Sequence, residues 1–131
     1  NKLIKEISKY RFVSAIFTFG SQVNGKARKD SDIDVCVITK NASRKQELQI
    51  QGFSNNEVDI SLFFRLPLII QFRILKEGKL IFCRDEKLLH DTKYETFRRY
   101  LDYSYFINNF FRRVIKNVWF RENRKNNLWY K

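Results

Sequence analysis

Three aspartates and one glycine–serine turn carry the chemistry of this chain. Asp32 and Asp34 flank Ile33 at the start of an apolar run, Ile33–Thr39. In a β-strand, residues two apart project to the same face, about 7 Å apart along the chain. Carboxylates so placed repel each other unless a cation lies between them. Oxygen ligands of this kind suit Mg²⁺ or Mn²⁺, which also keep waters and substrate phosphates in their shell. A third acid, Asp59, stands between Val58 and Ile60 in another apolar run. Buried there, it would be costly. Any one of these acids also reads as a turn or cap residue. Together they interrupt apolar strands where solubility requires no charge.

Upstream, Phe19 leads into Gly20 and Ser21. Glycine lets the backbone turn sharply and approach a ligand closely. Ser21 offers a hydroxyl, and amides opening a helix after it would form a phosphate-binding arrangement. Lys26, Arg28 and Lys29 add positive charge nearby. By itself, a Gly-Ser pair also reads as a plain turn.

The elements that must hold these residues follow from pattern and punctuation. Leu3–Tyr10 reads as a short helix with Leu3, Ile4 and Ile7 on one side. Val13–Phe19 is β-branched and aromatic and ends at Gly20, which predicts a buried strand. Gly20–Asp32 is polar and predicts a loop with a short helix. Ile33–Thr39 is a second strand, and Ser43–Gln51 a helix with Ser43 as its N-cap. Glu57–Phe63 is a third strand. Pro67 then opens a helix that Gly78 closes, and Lys79–Cys83 is a fourth strand. From Glu86 to about Arg124 there is no Gly or Pro, and Phe97, Tyr100, Leu101, Phe106, Phe110, Val114 and Val118 keep a helical period. One or two helices are expected there. The order predicts an α+β fold, an α/β sandwich built on one small sheet with flanking helices. The expected organisation is a single domain over 1–131, with a core at 10–84 and a C-terminal helical region at 86–126.

Composition narrows the class. A length of 131 residues suits one domain, and 44% apolar with 16% aromatic residues excludes a disordered tail. The apolar runs fall far short of the ~20 residues of a membrane helix. No secretory signal opens the chain, so a cytoplasmic location without a membrane partner is expected. Cys36 and Cys83 lie in apolar stretches without metal-ligand spacing and read as reduced core thiols; with a single His, they argue against a zinc site. The net charge of +12 fits a polyanionic partner or a solvated helix face. From Tyr103 onward there are seven basic residues and Glu122 as the one acid. Aromatics interleaved with arginines there suit a protein partner or single-stranded RNA.

Gly20-Ser21, ten residues, then Asp32-x-Asp34, with the later Asp59 on a strand, resembles the signature of the DNA polymerase β-type nucleotidyltransferase superfamily. The short length and the strand–Pro–helix–Gly–strand stretch from Asp59 to Cys83 resemble the minimal nucleotidyltransferase (MNT) antitoxins of HEPN/MNT toxin–antitoxin pairs. The resemblance covers about residues 10–120. It implies a palm-like mixed sheet. It makes Asp32, Asp34 and Asp59 the catalytic metal triad for two Mg²⁺ ions, with Mn²⁺ as a substitute. It places the triphosphate of ATP on Gly20 and Ser21. It implies transfer of AMP to a tyrosine of a HEPN ribonuclease toxin, in the manner of a type VII-like antitoxin, within a hetero-oligomer.

One position departs from the family pattern. Asn24 stands where many members carry Arg before the glycine matching Gly25, so Lys26 or Arg28 must supply that charge or it is missing. The alternatives are an antitoxin that neutralises by binding alone, or a small-molecule or RNA nucleotidyltransferase; RNA is the lesser partner. Arg84-x5-His90 also fits the loose spacing of the toxin's own ribonuclease motif. At the end of a strand in a mixed chain, it reads as coincidence.

Overall fold

A computed structural model describes residues 2–20 and 33–126. The elements in chain order are α1 (Lys2–Ser8), β1 (Val13–Phe19), β2 (Ile33–Thr39), α2 (Arg44–Gln51), β3 (Val58–Leu62), a 3₁₀ turn (Phe63–Arg65), α3 (Leu68–Glu77), β4 (Lys79–Cys83) and α4 (Glu86–Asn126). The four strands form one sheet in the order β3-β2-β1-β4. β1 runs antiparallel to both β2 and β4, and β2 pairs in parallel with β3. A parallel pair needs a crossover, and α2 is that crossover. The sheet is therefore mixed and flanked by helices, as expected.

Alternation along the strands divides the core. Val35, Val37, Val58 and Ile60 project to one face, where Ile7 of α1 and Ile50 of α2 cover them. Phe17, Cys36 and Ile38 project to the other, beneath Ile74 and Leu75 of α3 and Leu89 of α4. Cys36 is fully buried, and burial pushes its thiol up to about 12; Cys83 is half-buried, and both are free.

Local chemistry sets the element ends. Ser43 accepts from the Gln46 amide at 3.2 Å while the Gln46 side chain accepts from the Ser43 amide at 2.9 Å, a complete capping box worth about 1 kcal/mol. α1 stops at Ser8, before the expected Tyr10, because the Lys9 and Tyr10 amides turn to carbonyls three residues back. β3 is one residue shorter than expected at each end. Phe63 leaves the sheet for the 3₁₀ turn, where its carbonyl accepts from the buried Gln71 side chain at 2.8 Å. Gly78 closes α3 for lack of space: a Cβ there would lie 2.5 Å from the Ile74 carbonyl oxygen. The region after Glu86 is one helix of 41 residues, its first turn capped by Asp85, which accepts from the Leu88 amide at 3.0 Å. Among the described residues, no helix is long and apolar enough to cross a membrane.

The chain divides into two units, Asn1–Phe97 and Arg98–Lys131. The first contains the sheet, its core and the opening turns of α4, where Leu89, Thr92 and Thr96 are buried. The second, in its described part, is the remainder of α4, with Phe106, Phe110 and Phe111 all at least half exposed.

Candidate functional site

The acids come together through register. Asp34, the second residue of β2, pairs with Asp59, the second residue of β3, and on its other side with Phe19 of β1. Paired residues of neighbouring strands project to the same face, with backbones about 4.8 Å apart. The two carboxylates therefore leave the sheet side by side, at the end where β1 finishes and β2 and β3 begin. Asp34 is half-buried and Asp59 is exposed. The burial cost that threatened Asp59 does not arise, because Asp59 projects to the face opposite buried Val58 and Ile60 and is exposed there.

Two side chains upstream of β3 fix that register. Asn55 accepts from the amides of Glu57 and Val58, each at 2.8 Å, and its own amide donates to the Val58 carbonyl at 2.9 Å. Ser54 accepts from the Ile60 amide at 3.0 Å. The Ile33 amide donates to the Glu57 carbonyl at 2.8 Å, which starts the β2–β3 ladder one step before the acids. A one-residue slip would send Asp59 to the opposite face. Neither Ser54 nor Asn55 stood out in the sequence; the Ser-Asn-Asn cluster before an apolar run was the available signal.

Gly20 closes the third side. It has φ +97°, a conformation L side chains rarely adopt. A Cβ at this position would collide with Oδ2 of Asp34. The glycine thus leaves the space that the Asp34 carboxylate occupies, a second role beside the phosphate approach expected of it. Gly20, Asp34 and Asp59 are brought to one sheet end; Ser21, Lys26, Arg28 and Asp32 lie outside the described residues. Among the described residues, no group of three His, Cys, Asp or Glu is gathered for a metal.

The donor set still suits a hard cation. Two adjacent carboxylates, one open to solvent, offer oxygen ligands on one side and leave the other for water and phosphate. Two other acids, Glu47 and Asp85, are arranged differently. Glu47 is buried and receives Nε of Arg65 at 3.1 Å and Nη2 at 2.8 Å; these hydrogen bonds, ahead of the Arg65 and Arg44 charges, hold its carboxyl below the usual glutamate value. Asp85 is lowered first by the Leu88 amide, with Lys40 3.4 Å away. Arg84 donates to the carbonyls of Val13 at 3.0 Å and of Tyr10 and Ser8, and so fastens the end of α1 to the sheet. His90 is exposed with Asp91 beside it. Arg84 is thus committed to backbone carbonyls, which fits its reading as a coincidental partner of His90.

A family model described as "Polymerase beta, Nucleotidyltransferase" matches residues 1–87. A Methanocaldococcus jannaschii protein named as a protein adenylyltransferase is 39% identical over 70 residues, which are 53% of this chain and 56% of that protein. The chain thus spans little more than half the length of this curated relative. Among solved structures, a chain of a toxin–antitoxin complex with AMP-PNP superposes with a TM-score of 0.66 at 15% identity, covering 89% of this chain and 96% of that one. The complex of tri-AMPylated Shewanella oneidensis HEPN toxin with MNT antitoxin gives 0.58 at 15% identity, covering 89% and 90%. These likenesses establish the shared fold.

Proposed function

The chain belongs to the polymerase beta nucleotidyltransferase family, and on that premise we propose that it is an MNT-type antitoxin that transfers AMP from ATP to a tyrosine of a HEPN-family toxin. The observation that carries the proposal is the in-register Asp34–Asp59 pair with Gly20 against it. The name of the archaeal relative, the AMP-PNP in one structural neighbour and the AMPylated toxin in another support the same reading.

In this reading Asp32, Asp34 and Asp59 hold two Mg²⁺ ions, or Mn²⁺. The ions, when bound, neutralise triphosphate charge and favour the ionised form of the attacking hydroxyl. Gly20 and Ser21 receive the β- and γ-phosphates, with Lys26 and Arg28 supplying the charge that Asn24 does not. The tyrosine oxygen attacks the α-phosphorus in line, a new P–O bond forms, the α–β bridge breaks and pyrophosphate leaves. Asp59, exposed at the sheet edge, takes the tyrosine proton. No covalent intermediate is needed, and residues 1–131 act as one minimal domain. The location is cytoplasmic, where ATP is available.

The test is incubation with ATP labelled at its α-phosphate, Mg²⁺ and the product of the neighbouring gene, which the proposal expects to be a HEPN-family toxin. Label on a toxin tyrosine, with pyrophosphate released, is expected. A toxin that is bound and silenced without label would replace transfer by neutralisation through binding.

A further inference from the structure

The second half of α4 carries an apolar face with no second layer among the described residues of its own unit. Phe106 stacks on Phe110 with centroids 6.4 Å apart and planes 16° apart, and Phe111 meets Phe110 edge-on at 5.9 Å. Tyr103, Phe110, Val114 and Val118 continue the face at the spacing of helix neighbours, and all four are exposed. The opening turns of the same helix use equivalent spacing to bury Leu89, Thr92 and Thr96. Contiguous apolar surface of this extent on a folded chain marks a docking site.

We propose that this face, between Arg98 and Glu122, docks a helical protein surface whose apolar stripe is rimmed by carboxylates. The inference rests on the proposed function in one respect, which identifies that protein as the HEPN-family acceptor. Charge selects the occupant. The segment 98–122 holds six basic residues against Asp102 and Glu122. At about 100° per residue, Arg113 lies beside the stripe and Arg121 continues it toward the C-terminal end. A second copy would bring the same positive excess against this one, and like charge across an interface is strongly disfavoured. An acidic rim satisfies it. Single-stranded RNA would use the rings and the arginines, but Ile107, Val114, Ile115 and Val118 offer nothing to a base or a phosphate. Helix anchors at three- and four-residue steps are the pattern of helix-in-groove recognition.

The test uses the full chain and the product of the neighbouring gene, which the proposed function expects to be a HEPN-family toxin. Phe110→Glu with Val114→Glu should lower affinity roughly 30-fold or more, the loss expected at an interface anchor. Both positions are exposed, so helical circular dichroism should be unchanged, and ATP binding in Mg²⁺ should be retained. Arg113→Glu with Arg121→Glu should slow association at low salt and matter less at high salt. The Asp34→Asn chain should still capture the partner. If wild type captures the partner through this face but transfers no AMP, docking stands and the transfer reading falls. If wild type transfers AMP and the Phe110/Val114 variant captures and transfers equally well, transfer stands and this docking surface falls. Absence of capture by wild type overturns docking too. So does binding of oligo-U RNA or phosphatidylserine vesicles that the double variant loses while partner capture is untouched.

Discussion

Where β2 and β3 finish, two acids have cations beside them. Glu47 receives Arg65 and Arg44, and Asp85 lies 3.4 Å from Lys40. Where the same strands begin, acid stands beside acid, Asp34 next to Asp59. The first arrangement stabilises the fold and needs nothing further. The second places two sets of oxygen ligands next to each other, the donor type that the divalent cation of the proposed function would use. Acids at the two ends of one sheet are thus distinguished by their neighbours, not by their type.

Substitution at the two ends should separate the effects. The largest expected is Asp34→Asn: AMP transfer falls roughly 10³-fold or more, the scale of several kcal/mol of lost charge stabilisation. If the pair holds the proposed ion, Mg²⁺ should raise the melting temperature of wild type and not that of the variant. A variant that melts well below wild type would make Asp34 structural and erase the difference between the ends. Gly20→Ala comes next. Its methyl collides with the Asp34 carboxylate in a strained backbone, so stability falls by about 1–3 kcal/mol and transfer by about 10²-fold. Calorimetry and initial rates on one preparation check both. Glu47→Gln should do the reverse, lowering the melting temperature by a few degrees with transfer intact in the folded protein.

The smallest effect is in acid. Arg65 holds the Glu47 carboxyl below its ordinary 4.5, so the folded state binds fewer protons there than the unfolded chain. That stabilisation is complete above the unfolded value and is lost as pH falls through the folded one. Melting curves below about pH 5 should show a shallower decline for Glu47→Gln than for wild type. Parallel declines would mean that Glu47 contributes nothing through its charge.

Much of this was legible in the sequence. β1, β2 and β4 fall where apolar, β-branched runs meet their Gly and polar boundaries, and Ser43 caps α2 through contacts within four residues. What the pattern could not show is pairing across distance. Nothing local places Asp34 opposite Asp59, since parallel register is set by α2 and by the Asn55 turn. Glu47 and Arg65 are 18 residues apart, joined only once β3 and α2 pack. The fit of Gly20 to the Asp34 carboxylate is likewise a product of β1–β2 register. The uncertainty over one or two helices after Glu86 had another cause: a helical period with no breaker fits both, until the backbone is seen to continue.

The edge position of β3 has a kinetic consequence. The strand has a single neighbour in the sheet. Its opening therefore costs less than that of β1, which is held on both sides. Amide protons that β3 contributes to the ladder with β2 should exchange with solvent sooner than those between β1 and β2. A bound divalent ion would slow β3 selectively, so that the sheet edge becomes a gauge of whether the site is charged.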